Sequence, residues 1–250
     1  MSSVTTAAAP HSVGELLRAW REQRRLTQLD LALQAEVSTR HLSFVETGRA
    51  TPSREMILHL AEQLEVPLRE RNQLLLAAGY APLFSQKGLD SPDLAPVRAA
   101  VHNVITAHEP NPAVVVDRHW NLVDANSAVS LFLEGVAAEL RTPPVNVMRL
   151  SLHPLGVSSR IINLAQWRAH LLGRLRREIG QTADAELVRL YTEVRGYQSH
   201  LESSQLETPD AGEVVVPLRF RAGDQELVFF SVVAAFGTPL DITVEEMALE

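Results

Sequence analysis

The sequence predicts an α+β protein in which an all-α part of five helices is followed by a part that mixes helices and strands. Apolar side chains recur at helical spacing through residues 13–80, whereas short β-branched runs separated by turns begin after Pro110. A stretch rich in Pro, Gly and Ser separates the two parts. The predicted divisions are a flexible N-terminus over 1–12, an α-helical domain over 13–80, a linker over 81–96 and an α+β domain over 97–250.

The helices of the first part are predicted from their caps. Ser12 and Glu15 fit a capping box, and the hydroxyls of Thr27 and Ser38 can cap the next two helices. A glycine that favours a left-handed conformation, Gly48, should end the third helix. The five predicted helices are Val13–Arg25, Thr27 to the turn at residues 35–37, Ser38 to Gly48, Met56–Leu64 and Leu68–Gly79.

The second and third of these helices are short and joined by a tight turn, which predicts a helix-turn-helix whose second helix enters a major groove. Leu42 and Val45 should face inward, because they lie three residues apart. The residues expected on the apolar side of the first helix are Leu29, Ala32, Leu33 and Ala35. The residues expected to face outward from the second are Thr39, Arg40, His41 and Ser43.

These residues resemble the phage-repressor (xenobiotic-response-element, XRE) class of bacterial regulators. The resemblance rests on the motifs Thr27-Gln28-x-x-Leu31-Ala32-x-x-Ala35-x-Val37-Ser38, Leu42-x-x-Val45-Glu46-x-Gly48-Arg49 and Pro52-Ser53. It implies sequence-specific binding to double-stranded DNA and a partly buried salt bridge between Arg21 and Glu46. One departure is Glu36, which stands where the class often has Gly. Because a non-Gly residue at positive φ costs about 1 kcal/mol, we expect this turn to differ slightly in shape.

The predicted DNA-binding residues lie on and around these two helices. Arg40 suits a bidentate contact to guanine, although a contact to phosphate alone is the alternative. Arg49 is expected to contact phosphate or, alternatively, only solvent. The resemblance places Gln28 against the DNA backbone and Ser43 and Phe44 against bases, but Phe44 could instead be a core residue. The full predicted set is Thr27, Gln28, Ser38, Thr39, Arg40, Ser43, Phe44 and Arg49.

Composition limits the classes of function. The chain has 250 residues and no Cys, which excludes disulfides, thiolate zinc sites and thiol nucleophiles. Its start has no signal-peptide pattern, and no apolar run reaches the roughly 20 residues of a membrane span, so a cytoplasmic protein is expected. Residues 13–80 contain nine arginines and nine acids. The whole negative excess, a net charge of −7, therefore lies outside the helix-turn-helix.

The second part begins with a short hairpin and a capped helix, a pattern typical of a PAS-like sensor. Asn126 is expected to cap the first helix after the hairpin. Leu164, Trp167, Leu171 and Leu175 are expected to face inward from a long helix. The predicted elements are helix 97–108, strands 113–116 and 120–123, helices 127–133, 161–179 and 184–201, strands 214–220 and 226–236 with a turn at Gly223-Asp224, and a final helix with a capping box over 243–246.

This part resembles the MmyB-type ligand-binding domain of actinobacterial and related regulators. The motifs are Pro112-Ala113-x-Val115-Val116-Asp117-x-x-Trp120-Asn121, Asn126-x-Ala128, Asn146-x-x-Arg149-Leu150-Ser151-Leu152-His153-Pro154, Asn163-Leu164-Ala165-x-Trp167-Arg168 and Phe236-Gly237-Thr238-Pro239-Leu240-Asp241. The resemblance implies a PAS-like domain that binds a small, largely apolar molecule of fatty-acid type. It also implies that this domain follows a DNA-binding domain of the kind found here.

The polar residues of this domain allow two interpretations. In one they form a pocket wall, and Arg168 or His153 binds a carboxylate head group. In the other, Trp120 and Trp167 are core aromatics, and Asn126 and Asn163 are caps or turn residues. The predicted ligand-binding set is Trp120, His153, Asn163, Trp167, Arg168 and His170.

The sequence therefore predicts a ligand-responsive transcription regulator that acts as a homodimer, with no metal, cofactor or membrane partner. The alternative is a helix-turn-helix protein whose C-terminal half only dimerises or binds another protein. An enzyme is the third and weakest interpretation, because the sequence has no metal-ligand spacing, nucleophile elbow, phosphate loop or Rossmann glycine run.

Overall fold

The computed structural model describes residues 12–182, 184–197 and 215–250. The chain divides into two compact units. The N-terminal unit comprises Met1–Gln86 with Leu240–Ile242, and the C-terminal unit comprises Lys87–Pro239 with Thr243–Glu250. None of the helices in the described ranges combines the length and the apolar composition needed to cross a membrane.

The described part of the N-terminal unit folds into five helices, as predicted. They are α1 (Val13–Gln23), α2 (Gln28–Gln34), α3 (Thr39–Glu46), α4 (Arg54–Gln63) and α5 (Leu68–Ala77). The predicted caps are confirmed: Ser12 and Glu15 form a capping box, and the side chains of Thr27 and Ser38 accept bonds from the first turns of α2 and α3. Helix α1 ends two residues earlier than predicted, because Arg25 adopts a positive φ of 58°.

The core of this unit confirms one predicted helix face and corrects the other. Leu42 and Val45 of α3 are buried, as expected. On α2, Ala32 and the C-cap residue Ala35 are buried as expected, but Leu29 and Leu33 are 56% and 70% exposed, and Leu31 is buried in their place. The reason is geometric: Leu31 and Ala35 lie four residues apart and share one face, which turns Leu29 and Leu33 outward.

The turn between α2 and α3 keeps the left-handed conformation that glycine would favour. Glu36 has φ 52°, so the expected change of shape is wrong and the strain of a non-Gly residue at this position remains. Gly48, with φ 71°, ends α3 as predicted. The amides of Arg49 and Gly48 donate to the carbonyls of Phe44 and Val45 at 2.8 and 3.1 Å, the pattern of a Schellman motif.

The stretch expected to be a linker makes specific contacts at its start. The buried Asn72 side chain accepts from the amides of Leu83 and Phe84 and donates to the Phe84 carbonyl. The Ser85 hydroxyl donates to Asp241 Oδ2 at 2.7 Å, and the amide of Ile242 donates to the Ser85 carbonyl at 2.9 Å. Residues 240–242 therefore complete the N-terminal unit, although they lie far along the chain.

The C-terminal unit combines helices with two small antiparallel sheets. Its α-helices are α6 (Ala95–Ala107), α7 (Ser130–Leu133), α8 (Val147–Leu152), α9 (Leu164–Thr182), α10 (Ala185–Gly196) and α11 (Ile242–Glu245), whose first residue is assigned to the N-terminal unit. Its strands are β1 (Val114–Val116), β2 (Leu122–Ala125), β3 (Leu218–Ala222), β4 (Gln225–Phe229), β5 (Ala234–Ala235) and β6 (Ala248–Leu249). One sheet has the order β2-β1-β6-β5, and β3 pairs with β4.

The first hairpin differs from the prediction in two places. Strand β2 starts at Leu122 and not at Trp120, because Trp120 has φ 67° and belongs to the turn. Asn126 does not cap a helix. It is buried, accepts from the Ala113 amide and donates to the carbonyls of Ile105 and Asn111. It therefore ties the end of β2 to the end of α6.

The elements near the C-terminus also need correction. The predicted strand 226–236 is two strands, β4 and β5, and the predicted turn at Gly223-Asp224 is confirmed between β3 and β4. Val214 and residues 198–201 lie outside the described residues. Thr243 is not an N-cap but lies inside α11, which ends at Glu245 before β6; its hydroxyl donates to the Lys87 carbonyl.

The core of the C-terminal unit is built on α9. Leu164, Trp167, Leu171 and Leu175 are all buried, as predicted. They pack in one apolar cluster with residues of α8, α10 and β3. On α6, Val101 and Ile105 are buried, but Val104 is 52% exposed and does not share their inward face.

Candidate nucleic-acid interface and ligand cavity

Helix α3 presents a polar surface from the N-terminal unit. Arg40 is exposed, and its guanidinium lies 5.4 Å from the centre of the Phe44 ring. Phe44 is half-buried and is not part of the apolar cluster of this unit, and its ring supports Arg40. Thr39 and Ser43 are half-buried on the same helix. The arrangement leaves the Arg40 side chain accessible at the start of α3.

Arg49 lies three residues beyond the end of α3 and is exposed. Neither Arg49 nor Arg40 forms an ion pair with a residue in the described ranges. The side-chain oxygens of Thr27 and Ser38 are exposed but already accept the capping bonds of α2 and α3. The two arginines are therefore cations available to a nucleic acid.

A buried ion pair links α3 to α1. Arg21 Nε and Nη2 donate to the two carboxylate oxygens of Glu46 at 2.7 and 2.9 Å, and the Glu46 side chain is 1% exposed. The hydrogen bond that Arg21 donates to Glu46 raises the pKa of Arg21. This confirms the predicted salt bridge. Because the pair is bidentate and links α1 to α3, it fixes the orientation of α3 within the unit.

Gln28 belongs to the same network. Its Nε2 donates to Glu46 Oε2 at 2.8 Å, and the side chain is half-buried. One of its two amide N–H groups is therefore used within the protein, and the other remains as a donor. Glu46 therefore orients the Gln28 side chain at the start of α2.

The C-terminal unit contains a cavity of about 760 Å³ that is open to solvent on one side. This volume lies within the range of roughly 300–1,000 Å³ that is typical of small-molecule sites. Two thirds of the lining residues are apolar, and they come from β1 to β4, from α7, α8 and α9, and from the segments between these elements. Representative members are Phe132, Leu150, Ile161, Trp167 and Phe229.

Of the six predicted ligand-binding residues, Trp167 lines this cavity and the other five do not. Trp120 is buried, and its Nε1 donates to Glu178 Oε2 at 2.7 Å. Asn163 accepts from the Arg219 amide and donates to the Pro217 carbonyl, which makes it a turn residue. These contacts agree with the alternative in which the aromatic and amide groups are structural.

The three basic residues of the predicted set also have other contacts. His153 accepts from the Leu155 amide and lies edge-to-face with Tyr197. Arg168 donates to the Arg195 carbonyl at 2.6 Å, and burial lowers the pKa of Arg168. His170 stacks on Trp167 and does not line the cavity, and burial lowers the pKa of His170. A carboxylate inside the cavity would not meet them.

The charged residues that do line the cavity, Arg141 and Glu250, were missed at the level of sequence. Arg141 ends a 3₁₀ turn (Ala138–Arg141), is exposed and forms no ion pair with a described residue. Glu250 is mostly buried, with a side chain 15% exposed. No motif or spacing marks either residue, because both reach the cavity through the folding of distant segments.

Comparisons with known proteins match a family model to each of the two units. The sequence-family model of the MmyB-like transcription regulator ligand binding domain matches residues 97–250, which is more than half of the chain. A helix-turn-helix family model matches residues 17–71. The chain therefore belongs to the family of MmyB-like transcription regulators. This confirms both resemblances in the sequence, and the family is one of regulators and not of enzymes.

Individual relatives agree with this assignment. The chain is 34% identical over 108 residues to an uncharacterized HTH-type transcriptional regulator of Mycobacterium tuberculosis (strain H37Rv), covering 43% of this chain and 38% of the relative. It is 43% identical over 70 residues to the HTH-type transcriptional repressor RghR of Bacillus subtilis (strain 168), covering 28% of this chain and 50% of the relative. The chain thus spans half or less of the length of these relatives.

Proposed function

We propose that this protein is a transcription regulator that binds double-stranded operator DNA through α3 and responds to a small, largely apolar ligand in the C-terminal unit. The observation that carries the proposal is the exposed Arg40 on α3, which forms no ion pair with any described residue, in a chain whose other unit contains a largely apolar cavity. The protein acts as a homodimer on a two-fold operator, with half-sites about 34–36 Å apart.

In this proposal α3 reads the major groove. Arg40 lies at the N-terminal end of the helix, the end from which side chains reach base edges. Its stacking on Phe44 restricts the guanidinium before DNA binds. Arg49 is beyond the helix and contacts phosphate. Gln28, oriented by Glu46, offers its second amide N–H to the DNA backbone. Thr27, Ser38, Thr39 and Ser43 complete the surface.

The prediction for DNA binding distinguishes the role of Arg40 from that of Arg49. Arg40→Ala should reduce the preference for the operator over random DNA by about 1–3 kcal/mol, because a base contact is lost. Arg49→Ala should weaken binding to both DNAs alike and reduce the salt dependence by about one counterion, because a phosphate contact is lost. The measurement is fluorescence anisotropy over a salt series, with Arg18→Ala on α1 as the control. Equal losses on operator and random DNA for both variants would contradict the division of roles.

The ligand in this proposal is a fatty-acid-like molecule. Its apolar chain fills the cavity, and its carboxylate meets Arg141, the exposed cation in the lining. Arg141 replaces Arg168 and His153 as the head-group residue, since neither of those lines the cavity. A ligand that prefers one arrangement of the C-terminal unit would then change operator affinity. The cavity supports this function over the alternative of a collapsed module used only for dimerisation.

The ligand prediction tests Arg141 directly. Arg141→Ala should weaken the binding of palmitate about tenfold, because a charge-assisted contact is lost, and should leave the binding of the uncharged alcohol hexadecanol unchanged. Arg189→Ala, an exposed arginine outside the cavity lining, is the matched control. The measurement is titration calorimetry on the full chain, accompanied by native mass spectrometry for a co-purifying molecule. A protein that binds neither compound would overturn the sensing function.

A further inference from the structure

Helix α8 contributes one face to the cavity wall, and this face carries a hydroxyl group. Val147, Leu150 and Ser151 line the cavity and lie at positions i, i+3 and i+4 of α8, so they share one side of the helix. Met148 and Leu152 do not line the cavity and are buried in the apolar core. The helix therefore places the Ser151 side chain at the cavity, on a face whose other two members are apolar.

The Ser151 hydroxyl group has unused hydrogen-bonding capacity. Its oxygen forms no hydrogen bond with any residue that the structure describes, although a helical serine can donate to the carbonyl four residues before it. The residue is half-buried, and the oxygen retains accessible surface. A hydroxyl group donates one hydrogen bond and accepts up to two. Water can supply these bonds when solvent fills a cavity, so a ligand that displaces the water has to supply them instead.

The surroundings of Ser151 on α8 indicate which ligand group would suit it. Arg149, the charged residue of this helix, does not line the cavity, because its Nε and Nη2 each donate to the Glu193 carboxylate at 2.8 Å. The three residues of α8 that do line the cavity are uncharged. An ionised ligand group beside them would lose its hydration without gaining a counter-charge. A neutral hydroxyl group avoids that cost and can both donate to and accept from Ser151.

We propose that the ligand is a hydroxylated fatty acid, and that Ser151 forms a hydrogen bond with the hydroxyl group on its chain. A plain fatty acid would displace water from Ser151 and leave its hydroxyl without a partner, which lowers affinity. Ser151 is then a specificity-determining residue of the cavity. This inference rests on the proposed ligand-sensing function, because it assumes that the cavity holds an acyl chain.

The test compares matched ligands on the full chain by titration calorimetry. The pairs are palmitate with 3-hydroxypalmitate and stearate with 10-hydroxystearate and 12-hydroxystearate, which vary the position of the hydroxyl group. We expect the wild type to bind at least one hydroxylated ligand about fivefold more tightly than its plain counterpart. Ser151→Ala should lose this preference and bind the plain fatty acid at least as tightly as the wild type does. Thr106→Ala, which removes an exposed hydroxyl of α6 outside the cavity lining, should behave like the wild type.

The possible results separate this inference from the proposed function. Equal affinities within every pair on the wild type, or a preference that survives in Ser151→Ala, would overturn the role of Ser151 while leaving a fatty-acid sensor intact. Absence of binding by all five compounds to the wild type would overturn both. If Ser151→Ala binds none of them, the isosteric variants Ser151→Thr and Ser151→Val decide. A preference that is present in Ser151→Thr and lost in Ser151→Val supports the inference, and the same behaviour in both overturns it.

Discussion

The two units differ in the surroundings of their buried carboxylates. In the N-terminal unit, Glu46 is almost inaccessible but receives hydrogen bonds from Arg21 and Gln28, so both carboxylate oxygens are satisfied. In the C-terminal unit, burial raises the pKa values of Glu178 and Glu250, and Glu250, which forms an ion pair with Arg174, also lines the cavity. A fully hydrogen-bonded carboxylate suits a fixed surface, whereas a charged side chain in a cavity wall lies where a ligand can meet it.

The largest expected effect comes from breaking the completed network. Glu46→Ala should destabilise the N-terminal unit by about 3–5 kcal/mol, because Arg21 would remain buried without its partner. The double variant Arg21→Met, Glu46→Leu should recover much of this loss, since no charge is then left buried. Hydrogen exchange of residues in α1 and α3 measures the change. A single variant as stable as the wild type would show that the pair does not fix α3.

A second experiment uses pH to test a charged cluster of the C-terminal unit. Burial alone would raise the pKa of Asp184, but hydrogen bonds from His119 and the Glu186 amide and the ion pair with Arg118 lower it to about 2. Because the folded pKa is below the ordinary value of 3.8, the stabilisation is present above about pH 4 and is lost as the pH falls toward 2. Its size is at most about 2 kcal/mol.

The variant for this experiment is Asp184→Asn, which keeps a side chain able to cap α10 and removes the charge. Its stability should depend less on pH between about 5 and 2 than that of the wild type. In a background with Trp20→Phe, the remaining tryptophans, Trp120 and Trp167, report urea unfolding of the C-terminal unit alone. Parallel pH profiles for the two proteins would contradict the assignment of the low pKa to this cluster.

The smallest expected effect concerns the turn of the helix-turn-helix. Glu36→Gly should stabilise the N-terminal unit by up to about 1 kcal/mol, because glycine adopts φ 52° without strain. Gly48→Ala, at φ 71° and with open space around its Cα, should destabilise the same unit by a similar amount. Urea denaturation of both variants measures the two changes in the free energy of unfolding. Changes of the same sign would show that backbone conformation does not decide these positions.

The sequence predicts most of the N-terminal unit because its signals are local. Capping residues lie within three positions of the groups they bind, as Ser12 and Glu15 do, and Gly48 ends α3 by its own conformation. The error on α2 arose because leucines at positions 29, 31 and 33 offer two possible inward faces on a helix of seven residues. Packing against the other helices, which no local pattern contains, selects Leu31.

The cavity could not be predicted in the same way. Its lining comes from segments between His108 and Glu250, and a residue lines it only where distant elements leave space. Polar and aromatic motif residues such as Asn163 and Trp120 often bind ligands, yet here Asn163 donates to the Pro217 carbonyl and Trp120 donates to Glu178. Arg141 and Glu250 lack a sequence signal, because their position relative to the cavity is a tertiary property.

The tie between Ser85 and residues 240–242 has a consequence for modularity. Since those three residues belong to the N-terminal unit, no single cut in the chain separates the two units completely. A chimera that joins residues 1–86 to a foreign sensor would lack Asp241 and Ile242 beside Ser85. Replacement of the sensor of this protein therefore has to keep this short return segment together with the DNA-binding half.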